Sequence, residues 1–120
     1  MARSEFGKYA TSFSSGCAAT NAILCMFKAG DHIVSCDDLY GGTNRMFRHI
    51  FEKFGLTNSL VDFGNIENIE NAINENTKAI FFETPTNPTL KCCDIEAIVK
   101  LDKKHNLITI CDNTFCTPVL

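Results

Sequence analysis

The side chains of this sequence that could do chemistry fall in four polar clusters. They are Ser14-Ser15-Gly16, Asp37-Asp38-Leu39-Tyr40-Gly41-Gly42-Thr43, Glu83-Thr84-Pro85-Thr86-Asn87-Pro88 and Asp112-Asn113-Thr114. Asp112 follows directly on the apolar run Leu107-Ile108-Thr109-Ile110-Cys111. One side of its carboxylate is therefore cut off from water, and it needs a cationic or hydrogen-bonding partner to stay ionised. Something positive is expected there, although a helix N-cap or an Asx turn also explains many such aspartates. Ser14-Ser15-Gly16 bridges a strand and a helix. The amides of Gly16 and Cys17 then point out of a helix N-terminus, whose partial positive charge suits a phosphate; a plain N-cap accounts for the same residues. Tyr40 precedes the flexible pair Gly41-Gly42, which lets an aromatic ring lie over a flat ligand or simply pack in its loop. Pro85 and Pro88 stiffen the loop around Asn87 and give its amide a fixed direction, unless Asn87 only forms a turn. Arg45, early in the next helix, is near enough to Tyr40 to meet an anionic substrate, although most such arginines are solvated.

Presenting four clusters on one rim requires a particular frame. Apolar runs near Tyr9–Phe13, His32–Cys36, Asn58–Asp62, Ala79–Glu83 and Leu107–Cys111 alternate with helix-like stretches, the pattern of consecutive βα units around a mainly parallel sheet. In such sheets the carboxyl ends of the strands line the ligand crevice. Ile80-Phe81-Phe82 and Ile108-Thr109-Ile110 lack polar alternation, so both are expected as central strands. The first helix is predicted from Cys17 to Lys28, with Gly30 beyond its end. A second is capped by Thr43 and carries an expected core stripe of Met46, Phe47, Ile50, Phe51 and Phe54 up to Gly55. Ile66, Ile69 and Ile73 mark a third, and a fourth runs from Asp94 to Asn106. The fold class is α/β, one partial domain.

Composition narrows the function. Eleven basic and fourteen acidic side chains give a net charge of −3 with no basic block, which argues against a nucleic-acid partner. No apolar run approaches the roughly 20 residues of a bilayer span, and the N-terminus lacks the apolar core of a signal peptide, so no membrane partner and a cytoplasmic location are expected. The seven cysteines contain no Cys-x-x-Cys pair and read as reduced, buried thiols; with His32, His49 and His105 they show no metal-ligand spacing, and no metal is expected. Neither Gly-x-Gly-x-x-Gly nor a Walker lysine motif is present, which disfavours dinucleotide and nucleotide binding.

Together the clusters suit one ligand: a flat, phosphorylated ring with a protonated nitrogen. A helix N-terminus takes the phosphate, Tyr40 covers a face, Asn87 contacts a ring oxygen and Asp112 pairs with the nitrogen. Pyridoxal 5′-phosphate has all of these features.

Tyr9-Ala10-Thr11-Ser12-Phe13-Ser14-Ser15-Gly16, Asp38-Leu39-Tyr40-Gly41-Gly42-Thr43-Asn44-Arg45, Glu83-Thr84-Pro85-Thr86-Asn87-Pro88 and Asp112-Asn113-Thr114-Phe115 resemble the Cys/Met-metabolism family of pyridoxal-phosphate enzymes, which includes the trans-sulfuration enzymes. The similarity runs from about Phe6 to Leu120. It implies the large, cofactor-binding domain of a type I fold. It also implies Gly16 and Cys17 amides at the phosphate, Tyr40 stacked on the ring as the catalytic residue, Asn87 at the ring hydroxyl and Asp112 at the pyridinium nitrogen with Thr114 beside it. Arg45 near the substrate is a weaker transfer. The implied activity is carbon–sulfur cleavage of a sulfur amino acid, cystathionine in particular, by a homotetramer. Gly42 stands where members that cleave methionine usually place a cysteine, which favours cystathionine.

The resemblance is incomplete. The lysine to which this family attaches the cofactor, in a Ser-x-Thr-Lys stretch, would lie beyond Leu120, as would the small C-terminal domain with the arginine for the substrate carboxylate. An N-terminal segment is missing too. The expectation is thus a fragment, inactive alone. Alternatives are a fragment of another member of the family, a short non-catalytic product that binds cofactor or a complete subunit, or a nucleotide-binding module.

Overall fold

The computed structural model describes residues 1–119; Leu120 lies outside them. Four parallel strands form the sheet: β1 (His32–Cys36), β2 (Thr57–Val61), β3 (Thr77–Glu83) and β4 (Ile108–Asp112), in the order β2-β1-β3-β4. Helices α1 (Gly16–Leu24), α2 (Gly41–Arg45), α3 (Ile66–Ala72) and α4 (Ile95–His105) alternate with them. No helix among the described residues is long and apolar enough to cross a membrane.

Local chemistry sets most boundaries. Ser15, Asn65 and Asp94 cap α1, α3 and α4 by accepting the amides of Ala18, Glu67 and Ala97. Asn106, in the left-handed region at φ 55°, ends α4 behind Lys103, Lys104 and His105, cations placed where the helix dipole is negative. β1 is buried throughout, and its polar side chains are all engaged. His32 Nδ1 lies 2.7 Å from Thr77 Oγ1 and its Nε2 lies 2.9 Å from Ser59 Oγ, while Ser35 Oγ donates to Asn58 Oδ1 at 2.7 Å. A one-residue slip would orphan these groups, so they hold the register of the sheet. Ile80, Phe81 and Phe82 form the centre of the core, with Phe47 edge-on to Phe81 at 5.7 Å.

Six expectations are corrected. Residues 9–13 form no strand: Tyr9 and Phe13 are exposed, and neither sheet edge pairs with this segment, whose backbone is left to water. β4 is an edge strand, with Ile108 47% exposed; β1 and β3 are the central pair. α1 stops at Leu24, ahead of the expected Lys28, and the chain turns through Met26 to Gly30 at φ 91°. Thr43 does not cap the second helix but is buried inside it. α2 starts at Gly41 because the Tyr40 amide is held outside the helix by Glu83. Beyond Arg45 the chain widens into a π turn over Met46–Ile50 and tightens into a 3-10 turn over Phe51–Phe54. That change of pitch breaks the 3.6-residue period. Met46, Phe47 and Phe51 stay buried, and Ile50 and Phe54 rotate into solvent. Finally, all seven cysteines are free, but only Cys36 is fully buried, and Cys17, Cys25, Cys92 and Cys111 are exposed.

Candidate functional site

Because the strands are parallel, β1, β3 and β4 end on the same edge of the sheet, and the N-terminus of α1 meets them there. A cavity of about 270 Å³ lies at this junction, lined by Gly16 and Cys17 from α1, Tyr40 from the loop after β1, Asn87 from the loop after β3, and Asp112 and Thr114 from the exit of β4. Ser15, Thr20, Thr43, Glu83 and Phe115 complete the wall. Arg45 is exposed and does not line it. A wider groove of about 680 Å³ beside β2 gathers no comparable set of strand exits.

Each wall has a physical cause. Ser15 Oγ takes the Ala18 amide at 3.1 Å, and among the described residues the amides of Gly16 and Cys17 have no partner, so both remain available to an anion. Asp112 Oδ1 accepts the Thr114 amide at 3.0 Å and the Thr114 hydroxyl at 2.5 Å, an Asx turn. The positive partner expected for Asp112 is not supplied by any described residue; Thr114 satisfies one carboxylate oxygen and leaves the other. The Tyr40 ring lies across Gly42: a Cβ on Gly42 would fall 2.5 Å from Tyr40 Cε1 and 3.0 Å from Cys17 Sγ. The Asn87 loop is pinned from the β1 side, since Asp38 Oδ2 accepts the hydroxyls of Thr86, at 2.6 Å, and of Thr89. These bonds, that of Thr86 foremost, hold the Asp38 carboxyl below the usual range.

Glu83 was given no role by sequence reasoning. It ends β3 opposite Asp112 in the register, is 5% exposed, and accepts the Tyr40 amide on Oε2 at 2.8 Å. Burial pushes its carboxyl above the usual range, against the Tyr40 N–H, with the charges of Asp112 and Asp38 adding to the rise. A carboxylate closing the most apolar strand of the chain was the signal available in the sequence. Its partner, a backbone amide 43 positions away, was not.

An unpaired amide pair at a helix N-terminus, a half-free carboxylate, a loop amide and an aromatic ring meet around one cavity at the strand ends of an α/β protein. The chain belongs to the family of Cys/Met metabolism PLP-dependent enzymes, whose sequence profile it matches over residues 1–120. It is 47% identical over 116 residues to a cystathionine beta-lyase of Lactococcus lactis subsp. cremoris, covering 97% of this chain and 30% of that protein. It is likewise 47% identical over 119 residues to the cystathionine gamma-lyase of Homo sapiens, covering 98% and 29%. A cystathionine gamma-synthase/O-acetylhomoserine (thiol)-lyase of Bacillus subtilis (strain 168) is 47% identical over the whole chain and 32% of its own length. The crystal structure of cystathionine gamma-lyase from Lactobacillus plantarum complexed with L-serine superposes with a TM-score of 0.96 at 46% identity, over 98% of this chain and 31% of that one. The chain thus spans about 30% of the length of the relatives it matches. Pyridoxal 5′-phosphate is the cofactor of this family.

Proposed function

We propose that these residues are the cofactor-binding part of a pyridoxal-phosphate-dependent carbon–sulfur lyase of the cystathionine γ-lyase type, which, with uptake of water, splits cystathionine into cysteine, 2-oxobutanoate and ammonia. The observation that carries this reading is the convergence of Gly16, Cys17, Tyr40, Asn87, Asp112 and Thr114 on one cavity. Their donor set fits the cofactor. The Gly16 and Cys17 amides take the phosphate. Thr114 engages Asp112 Oδ1, which leaves Oδ2 to hold a proton on the ring nitrogen. Asn87 meets the ring hydroxyl, and Tyr40 covers the ring and faces the substrate. When bound, the cofactor supplies an electron sink for the electron pair left at the substrate Cα. The part of Asp112 is to keep the ring protonated and so electron-poor; that of Tyr40 is to exclude water from one face.

Among the described residues, no lysine lines the cavity. The amine that carries the cofactor, the arginine for the substrate carboxylate, the small C-terminal domain and the N-terminal segment are proposed to come from outside these residues, in a cytoplasmic homotetramer. Relatives with β-lyase, γ-synthase and γ-lyase names match this chain at similar identity, so the choice among them rests on product analysis. The test uses the full chain its reading frame encodes. Saturable binding of pyridoxal phosphate and release of 2-oxobutanoate from cystathionine are expected; pyruvate in its place would indicate β-cleavage, and absence of cofactor binding would overturn the proposal. Asp112→Asn removes a charge-assisted bond of about 1.5–3 kcal/mol, so cofactor affinity is expected to fall roughly 10- to 100-fold.

A further inference from the structure

We propose that Glu83 is a positioning residue: its carboxyl group holds the backbone amide of Tyr40 and thereby fixes the ring-covering side chain relative to the end of β3. The inference rests on the cofactor reading of the cavity and extends it to a residue with no direct part in that reading.

Tyr40 has little else to fix it. Its side chain is 45% exposed, so core packing does not hold it. The helix it precedes is five residues long, starts with two glycines and receives no side-chain cap from Tyr40. The 2.8 Å bond from the Tyr40 amide to Glu83 Oε2 anchors that backbone to the rigid end of β3. One acid at the end of a central strand therefore ties the Tyr40 loop to β3, and the Asp38 bonds to Thr86 and Thr89 tie that loop to the one after β3.

The cost of Glu83 supports a role beyond stability. Among the described residues it has no salt bridge, it is 5% exposed, and its neighbour across the register is another acid, Asp112. A buried acid without a cation is destabilising, and an apolar side chain of similar size would serve the core better. What an apolar side chain lacks is an acceptor for the Tyr40 amide.

The test follows amide exchange at single residues in the full encoded chain, without cofactor, and then the visible circular dichroism of bound pyridoxal phosphate. In Glu83→Ala the Tyr40 amide is expected to exchange at least about tenfold faster while β1 and β3 amides keep their rates, and the dichroic band per bound cofactor is expected to collapse. Glu83→Gln, which keeps an acceptor oxygen, is expected to restore both. Unchanged exchange at Tyr40 in Glu83→Ala, equal loss in both variants, or acceleration spread through β1 and β3 would overturn the proposal. If Glu83→Ala does not fold, Glu83→Asp withdraws the acceptor by about 1.5 Å, and the same local acceleration is expected. A wild-type chain that shows no cofactor dichroism would sink the cofactor reading, while the exchange rates would still decide the role of Glu83.

Discussion

Gly42 shows how narrow the tolerance is at the scale of one residue. Its φ is not in the left-handed region, so its backbone does not demand glycine; the Tyr40 ring does, because it occupies the space a Cβ would need. In Gly42→Ala the ring must swing away, since it is the free end of a side chain and the helix backbone is fixed. The lost stacking is worth about 1 kcal/mol, so cofactor affinity is expected to fall about fivefold. Thermal stability should hardly change, because the ring is half exposed in any case. A titration with pyridoxal phosphate beside a melting curve separates the two effects, and an unchanged Kd would show that the ring does not cover the cofactor. At this scale, what could be read from the sequence was what a strand exit makes plain: Asp112 after its apolar run, and Asn87 between two prolines. What could not be read depended on contacts across the fold. The Glu83 bond to Tyr40 spans 43 positions, and Arg45 was placed by nearness along the chain to Tyr40, whereas α2 leaves it outside the cavity wall.

Among the elements, β1 is the strand whose register the others follow, and His32 is its fastening. Thr77 Oγ1 already accepts the Asn74 amide at 2.8 Å, so its hydroxyl proton is free to point at His32 Nδ1, leaving Nε2–H to donate to Ser59. Burial favours this neutral ring and lowers its pKa below 6.5. The unfolded chain therefore takes up a proton at this position at a higher pH than the folded one, and the unfolded state binds more protons in that window. Stability from His32 is fully present above pH 6.5 and is lost as the pH falls through the folded value. His32→Gln is expected to cost about 1–3 kcal/mol near neutrality, by unpairing buried partners. The gap between variant and wild-type melting temperatures should narrow toward acid pH. A gap independent of pH would mean that the ring does not titrate with unfolding. An unbroken apolar run located β1, which is buried throughout, and periodicity located α3 and α4 because one face of each is buried against the core. It failed beyond Arg45, where three helical pitches follow one another, and at Tyr9–Phe13, because strand composition makes a strand only where a neighbour offers hydrogen bonds.

For the molecule as a whole, surface decides behaviour. The structure exposes 7547 Å², roughly 1,000 Å² more than the about 6,500 Å² expected of a folded monomer of this mass. The excess has identifiable sources. β2 and β4 are both open edges, and β4 presents Ile108 at 47% exposure. Phe6, Tyr9 and Phe13 stand in solvent along an N-terminal segment without strand pairing. An open cavity of about 640 Å³ reaches Ile23, Phe81 and Ile110. Unpaired strand edges beside apolar surface recruit other chains at micromolar concentrations, and a net charge of −3 offers little repulsion against it. The 120-residue polypeptide, produced by itself under reducing conditions, is therefore expected to self-associate as its concentration rises from about 1 to 100 µM. Its thermal transition is expected to be broad. Sedimentation velocity reads the first property and calorimetry the second; a monomer with a sharp transition at the highest concentration would contradict both. Ile108→Lys locates the cause, because a charge on the β4 edge opposes strand addition without entering the core. It should shift the distribution back toward monomer, whereas association unchanged by that substitution would move the contact away from β4 to the apolar cavity wall around Ile23 and Ile110.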